Sequence, residues 1–101
     1  MLVKLIEVHS PAPYSNLNES QRVFSLREVF VNPNHVVCLR EDNIVKEEIK
    51  NSELRESLDT RQEYTKIFID RGQSGIDITV VGSLVLIEEK LSATAKTLLK
   101  G

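Results

Sequence analysis

Catalysis or metal binding needs nucleophiles, titratable pairs or ligand side chains at workable spacing, and this chain offers few of them. His35 and Cys38 come nearest to a metal pair. Their surroundings read as a strand, where residues three apart point to opposite faces, so the two cannot grip one ion together. His9, the other histidine, joins them only if the tertiary fold brings it there. The plainer expectation is a core thiol at Cys38, since free cysteine behaves as a small buried hydrophobe, with a strand-edge histidine at His35.

Gly72-Gln73-Ser74-Gly75 has the glycines of a phosphate loop but lacks its Lys-Ser/Thr ending, and a strand follows instead of a helix. It reads as a hairpin turn. Ser74 has no base and orienting partner in sight, so it is no nucleophile. Asp70 and Asp77 flank the same turn and could face each other across it. Paired carboxylates do acid–base work when an apolar pocket raises one pKa. As ordinary strand-end charges they would be neutralised by Lys66 or Arg71. The Glu47-Glu48 and Arg55-Glu56 clusters read as a solvated helix face, with partner docking as the alternative. No catalytic residue, cofactor or metal ligand is therefore expected, and the chain reads as a non-enzyme.

The bulk properties narrow the classes further. With 101 residues, 41% hydrophobic and 28% charged, the chain has the size and apolar content of one folded domain spanning 1–101. Its 13 Lys and Arg are scattered among 15 Asp and Glu, for a net charge of -2. Strong phosphate-backbone binding needs a concentrated basic patch, so nucleic acid is disfavoured. The single cysteine excludes an internal disulfide and suits a reducing compartment. Charges interrupt the apolar pairs of the first eight residues, leaving no signal-peptide core, and no apolar run approaches the ~20 residues that span a bilayer. A cytoplasmic protein away from membranes is expected.

The elements that must position these residues follow from pattern. Leu2–Val8 is a short aliphatic strand stopped by Pro11 and Pro13, which cannot donate ladder hydrogen bonds. Residues 11–21 form a polar surface loop. Val23–Val31 is a second strand ending at Asn32-Pro33-Asn34, where Pro33 presets a turn and the asparagines bond back to the backbone. In the third strand Val36-Val37-Cys38-Leu39 is apolar on both faces, which points to a central strand covered on both sides or closed by a partner.

Residues 41–63 are a charged helical insertion. Val45/Ile49 and Leu54/Leu58 are i,i+4 apolar pairs, predicting one or two short helices that break near Asn51-Ser52, with N-caps at Asp42 or Asn43 and at Ser52. Tyr64–Asp70 and Ile76–Val81, joined through Gly72 and Gly75, form the clearest hairpin. There Ile76, Ile78 and Val80 share the core face and Asp77 and Thr79 the other. Ser83 then caps an amphipathic helix whose seam is Leu84, Ile87, Leu91, Ala95 and Leu98.

The run Glu28-Val29-Phe30-Val31-Asn32-Pro33-Asn34-His35-Val36-Val37-Cys38-Leu39-Arg40-Glu41, with the opening strand, the Tyr64–Gly72 strand and turn, and Ile78–Ser83 entering a helix, resembles the small FlbD-like proteins linked to bacterial flagella. Its most specific piece is Val31–Val36. The 11–21 loop and the 41–63 insertion depart from that family's pattern. The chain is also similar to short proteins of tailed phages, and its strand turn echoes the last half of LytTR DNA-binding domains. The first two resemblances imply a bacterial or phage accessory role and carry no activity with them, and the third implies nucleic-acid binding.

Together these readings predict an α+β fold: a small, strongly curved antiparallel sheet or partial barrel of about five strands, with the C-terminal helix packed on it. The expected function is a non-enzymatic interaction or regulatory role with a protein partner, including self-association. The rival is a nucleic-acid binder of small-barrel or LytTR-like kind using Arg22, Arg27, Arg40, Lys66 and Arg71. An enzyme built on Asp70 and Asp77 is the remaining alternative.

Overall fold

The computed structural model describes residues 1–9, 24–50, 61–70, 72 and 74–100. Five strands, β1 (Val3–His9), β2 (Ser25–Val31), β3 (Val36–Glu41), β4 (Tyr64–Asp70) and β5 (Gly75–Val81), make one sheet in the order β2-β1-β5-β4-β3. Each neighbouring pair is antiparallel. Helix α1 (Asn43–Lys50) follows β3, and helix α2 (Leu84–Lys100) follows β5. The second strand starts at Ser25, two residues later than its composition suggests, while Phe24 before it is buried. The 11–21 loop and the second short helix with its Ser52 cap lie outside the described residues. Among the described residues, no helix is long and apolar enough to cross a membrane.

Directly paired residues share a face, and faces alternate along each strand. One face carries Leu5, Val31, Ile67 and Val80, and α2 seals it with Ile87 and Leu91. Ile67, Val80 and Ile87 are fully buried, so this side is the principal core. The other face carries Val8, Tyr64 and Val81, which pack under Phe24 and under Ile49 and Val45 of α1. Being only eight residues long, α1 covers one end of that face and leaves the rest open.

Two local devices place the helices. Asp42 caps α1: its Oδ1 accepts from Val45 N at 3.0 Å, and its Oδ2 accepts from Thr79 Oγ1 at 2.6 Å. Both residues are buried, so Thr79, on the face opposite Ile78 and Val80 as alternation predicts, lies under α1, because a helix covers that end of the second face. Before α2 the chain must turn sharply at Gly82. Its φ is +136°, and an added Cβ would lie 2.9 Å from Ile87 Cδ1, so both backbone and space demand glycine. The turn is held by Gly82 N donating to Glu63 O and by Thr65 Oγ1 donating to Gly82 O, each at 2.9 Å. Ser83 then caps the helix by accepting from Leu86 N at 3.2 Å.

β3 is an edge strand, not the covered central strand its composition suggests. Val37 is 68% exposed and Cys38 is exposed, which also overturns the core-thiol expectation. A register irregularity between Val36 and Cys38 shifts the pairing with β4, and α1 does not reach this end. An apolar pattern on both faces thus marks a strand with one side left open.

The two edges, β2 and β3, are joined by only Asn32–His35, folded as a 3-10 turn over Pro33–His35. Asn32 Oδ1 accepts from Asn34 N and Asn32 O accepts from His35 N, both at 3.0 Å. Five strands laid flat would hold their edges about 19 Å apart at the usual spacing, before any offset along the strands. The five steps from Val31 to Val36 span at most about 18 Å when fully extended, and a 3-10 turn is far shorter. The sheet is therefore coiled, yet its two edges do not hydrogen-bond each other and it stays open.

Candidate interaction surface

The open part of the second face is built by alternation. On β1 and β2 it presents Lys4, Ile6, Leu26, Glu28 and Phe30, and on β3 to β5 it presents Cys38, Arg40, Lys66, Phe68 and Asp77. Phe30 is 58% exposed and Leu26 40%. Lys4 Nζ lies 3.2 Å from Glu28 Oε1. At the outer end of β3, β4 and β5, a shallow depression of about 800 Å³ is lined by Val37, Cys38, Phe68, Ile69 and Ile76, with Arg40, Asp70 and Asp77 at its polar points. The Arg40 guanidinium sits 5.9 Å from the centroid of the Phe68 ring, within cation–π range.

Three of the predicted basic residues, Arg27, Arg40 and Lys66, are described, and they lie on both faces of the sheet. Arg40 and Lys66 are directly opposite each other on the open face. Arg27 lies on the α2 side of the sheet, where its Nε donates to Glu7 Oε1 at 2.9 Å. That ion pair satisfies the buried carboxylate of Glu7, a partnership the sequence did not advertise because the residues are 20 positions apart. Arg22 and Arg71 lie outside the described residues.

The carboxylates also part company with expectation. Asp77 is paired with Phe68, and Asp70 with Gly75, so they are diagonal neighbours and not directly opposed. Both are exposed, and Asp70 Oδ1 is engaged by Gly72 N at 2.9 Å in the hairpin turn. His35 and Cys38 are both exposed, and no group of three or more metal-ligating side chains occurs among the described residues. Exposure of Phe30 and Leu26 was the feature that sequence reading missed. Its signal was present in the alternation Leu26-x-Glu28-x-Phe30, which places two apolar residues beside a charge on one face.

Among the described residues, burial pushes the Tyr64 hydroxyl above its ordinary value of 10.0. It lies in the core beneath α1 and reports packing, not chemistry. No protein-family model, curated protein or solved structure matches this chain.

Proposed function

We propose that this chain is a non-enzymatic interaction or regulatory protein that works by binding another polypeptide through its open sheet face and free edges. The observation that carries this reading is the half-covered second face, where Phe30, Leu26 and Val37 stand exposed beside two strand edges that no described strand pairs with. Folded proteins usually cover or charge such edges, and contiguous exposed apolar surface marks contact sites. The coiling forced by the short β2–β3 connection supports a partial barrel, which is the shape we assign to this binding platform. The resemblance to FlbD-like and phage proteins supplies the setting, a bacterial or phage accessory role in the cytoplasm.

The test is affinity capture and light scattering of the full chain beside a Leu26→Ser/Phe30→Ser variant whose circular dichroism is unchanged. The wild type is expected to recover a stoichiometric polypeptide partner or to self-associate, and the variant to lose it. A strictly monomeric wild type that captures nothing overturns the reading. Arg40 opposite Lys66 favours a second, narrower reading, contact with a phosphate backbone. Lack of any gel retardation with mixed oligonucleotides at low salt removes it.

A further inference from the structure

The uniformly antiparallel sheet makes its two edge strands run in the same direction: β2 and β3 are each antiparallel to strands that point the other way. That restricts how one copy can continue the sheet of another. With faces in continuity, β3 of one copy lies parallel to β2 of the next. For β2 on β3, opposed directions require the second copy to present its other face. A two-fold axis normal to the sheet instead pairs β2 with β2, or β3 with β3, antiparallel with faces continuous.

Charge chooses among these arrangements. Two β2 strands fully overlapped about a two-fold axis set Glu28 against Glu28. Two β3 strands bring no opposite charges together. Antiparallel β2 on β3, fully overlapped, sets Arg27 against Arg40. In the parallel alignment shifted two residues from full overlap, Glu28 lies beside Arg40 of the next copy, Leu26 beside its Cys38, and Arg27 diagonal to its Glu41. No face-matched register of the other arrangements sets opposite charges side by side. Opposite charges on adjacent strands stabilise pairing and like charges oppose it.

The open face already prepares both halves of that contact. Glu28 has Lys4 on its inner side at 3.2 Å and, among the described residues, no strand beyond it on the edge. Arg40 faces Lys66 inward, a like-charge pair, and among the described residues neither has an acidic partner within ion-pairing distance. Joining the edges gives the row Ile6, Glu28, Arg40, Lys66, with Lys4 reaching Glu28 diagonally so that the carboxylate sits between cations. Exposed Leu26 meets exposed Cys38 in the next row.

We infer that the partner for these edges is a second copy of this chain, added head to tail with β3 parallel to β2 and Glu28 against Arg40. This rests on the binding role proposed above and names its occupant. Because the joined edges differ, every added copy leaves one β2 and one β3 edge free, and assembly runs to a closed ring or an open filament.

Sedimentation velocity of the full chain over a concentration series, at low and high salt, tests this with Glu28→Arg and Arg40→Glu. Wild type is expected to form salt-sensitive assemblies, and each single variant to associate on the order of tenfold more weakly. An equimolar mixture of the two variants is expected to recover, since every joint then pairs opposite charges. Circular dichroism checks that both variants fold, as both sites are exposed. A wild type monomeric at all concentrations, assembly indifferent to either substitution, or a mixture that fails to recover each overturns the inference. A monomeric wild type that still captures a different polypeptide through Leu26 and Phe30 overturns only this inference and leaves the proposed function standing.

Discussion

Tyr64 and Gly82 show how single residues set the tolerance of this fold. Burial raises the Tyr64 pKa in the folded chain. A raised folded value means that the neutral form is favoured, so the stability it contributes is complete below the unfolded value of 10.0 and is lost as pH climbs through the folded one. Urea midpoints measured across alkaline pH should fall, and should fall less in Tyr64→Phe. At Gly82, alanine would meet both the left-handed φ and the 2.9 Å approach to Ile87 Cδ1. Gly82→Ala is expected to cost about 1–3 kcal/mol in chemical denaturation. Cys38, by contrast, is exposed and should react with a thiol reagent in the native protein without unfolding. Protection until global unfolding would contradict its placement.

At the scale of elements, α1 is a short helix that depends on its attachment. Eight residues are too few to be stable alone, so the Asp42 cap, its bond to Thr79 and the burial of Ile49 must hold it. Asp42→Ala is expected to lose roughly 2–4 kcal/mol, combining a cap with a buried hydrogen bond to a charged acceptor. In a double-mutant cycle with Thr79→Val, the losses should be less than additive. Strand positions and the helix caps were legible in the sequence because they follow from local rules: β-branched runs, Asn-Pro-Asn turn chemistry, and Asp or Ser before an apolar stripe. The burial of Thr79 and the exposure of Cys38 were not legible. Both depend on which end of a sheet face a distant helix covers, and alternation along one strand carries no information about that. The expectation of a central β3 failed for the same reason, since apolar residues on both faces describe composition and not neighbours. The candidate surface was hidden in its turn, because Leu26, Phe30, Arg40 and Phe68 are brought to one face only by strand pairings remote in sequence.

For the whole molecule, the two faces divide the labour between stability and contact. Ile87 is fully buried among Leu5, Val31, Ile67 and Val80, so Ile87→Ala should cost about 2–5 kcal/mol and broaden or lower the thermal transition. Phe30→Ala, on the open face, should shift the same transition by no more than the ~0.5 kcal/mol typical of surface sites. If Phe30→Ala destabilised as much as Ile87→Ala, the open face would be part of the core and the proposed binding role would lose its basis. The short Asn32–His35 connection gives this division a mechanical consequence. Its 3-10 turn is braced by three backbone groups that bond within it, and Pro33 stiffens it further. The two edges are therefore arms of one stiff elbow, which fixes the angle between the β2 and β3 arms. A handful of covalent bonds thus keeps the two edges at one fixed orientation to each other, without relying on the core between them.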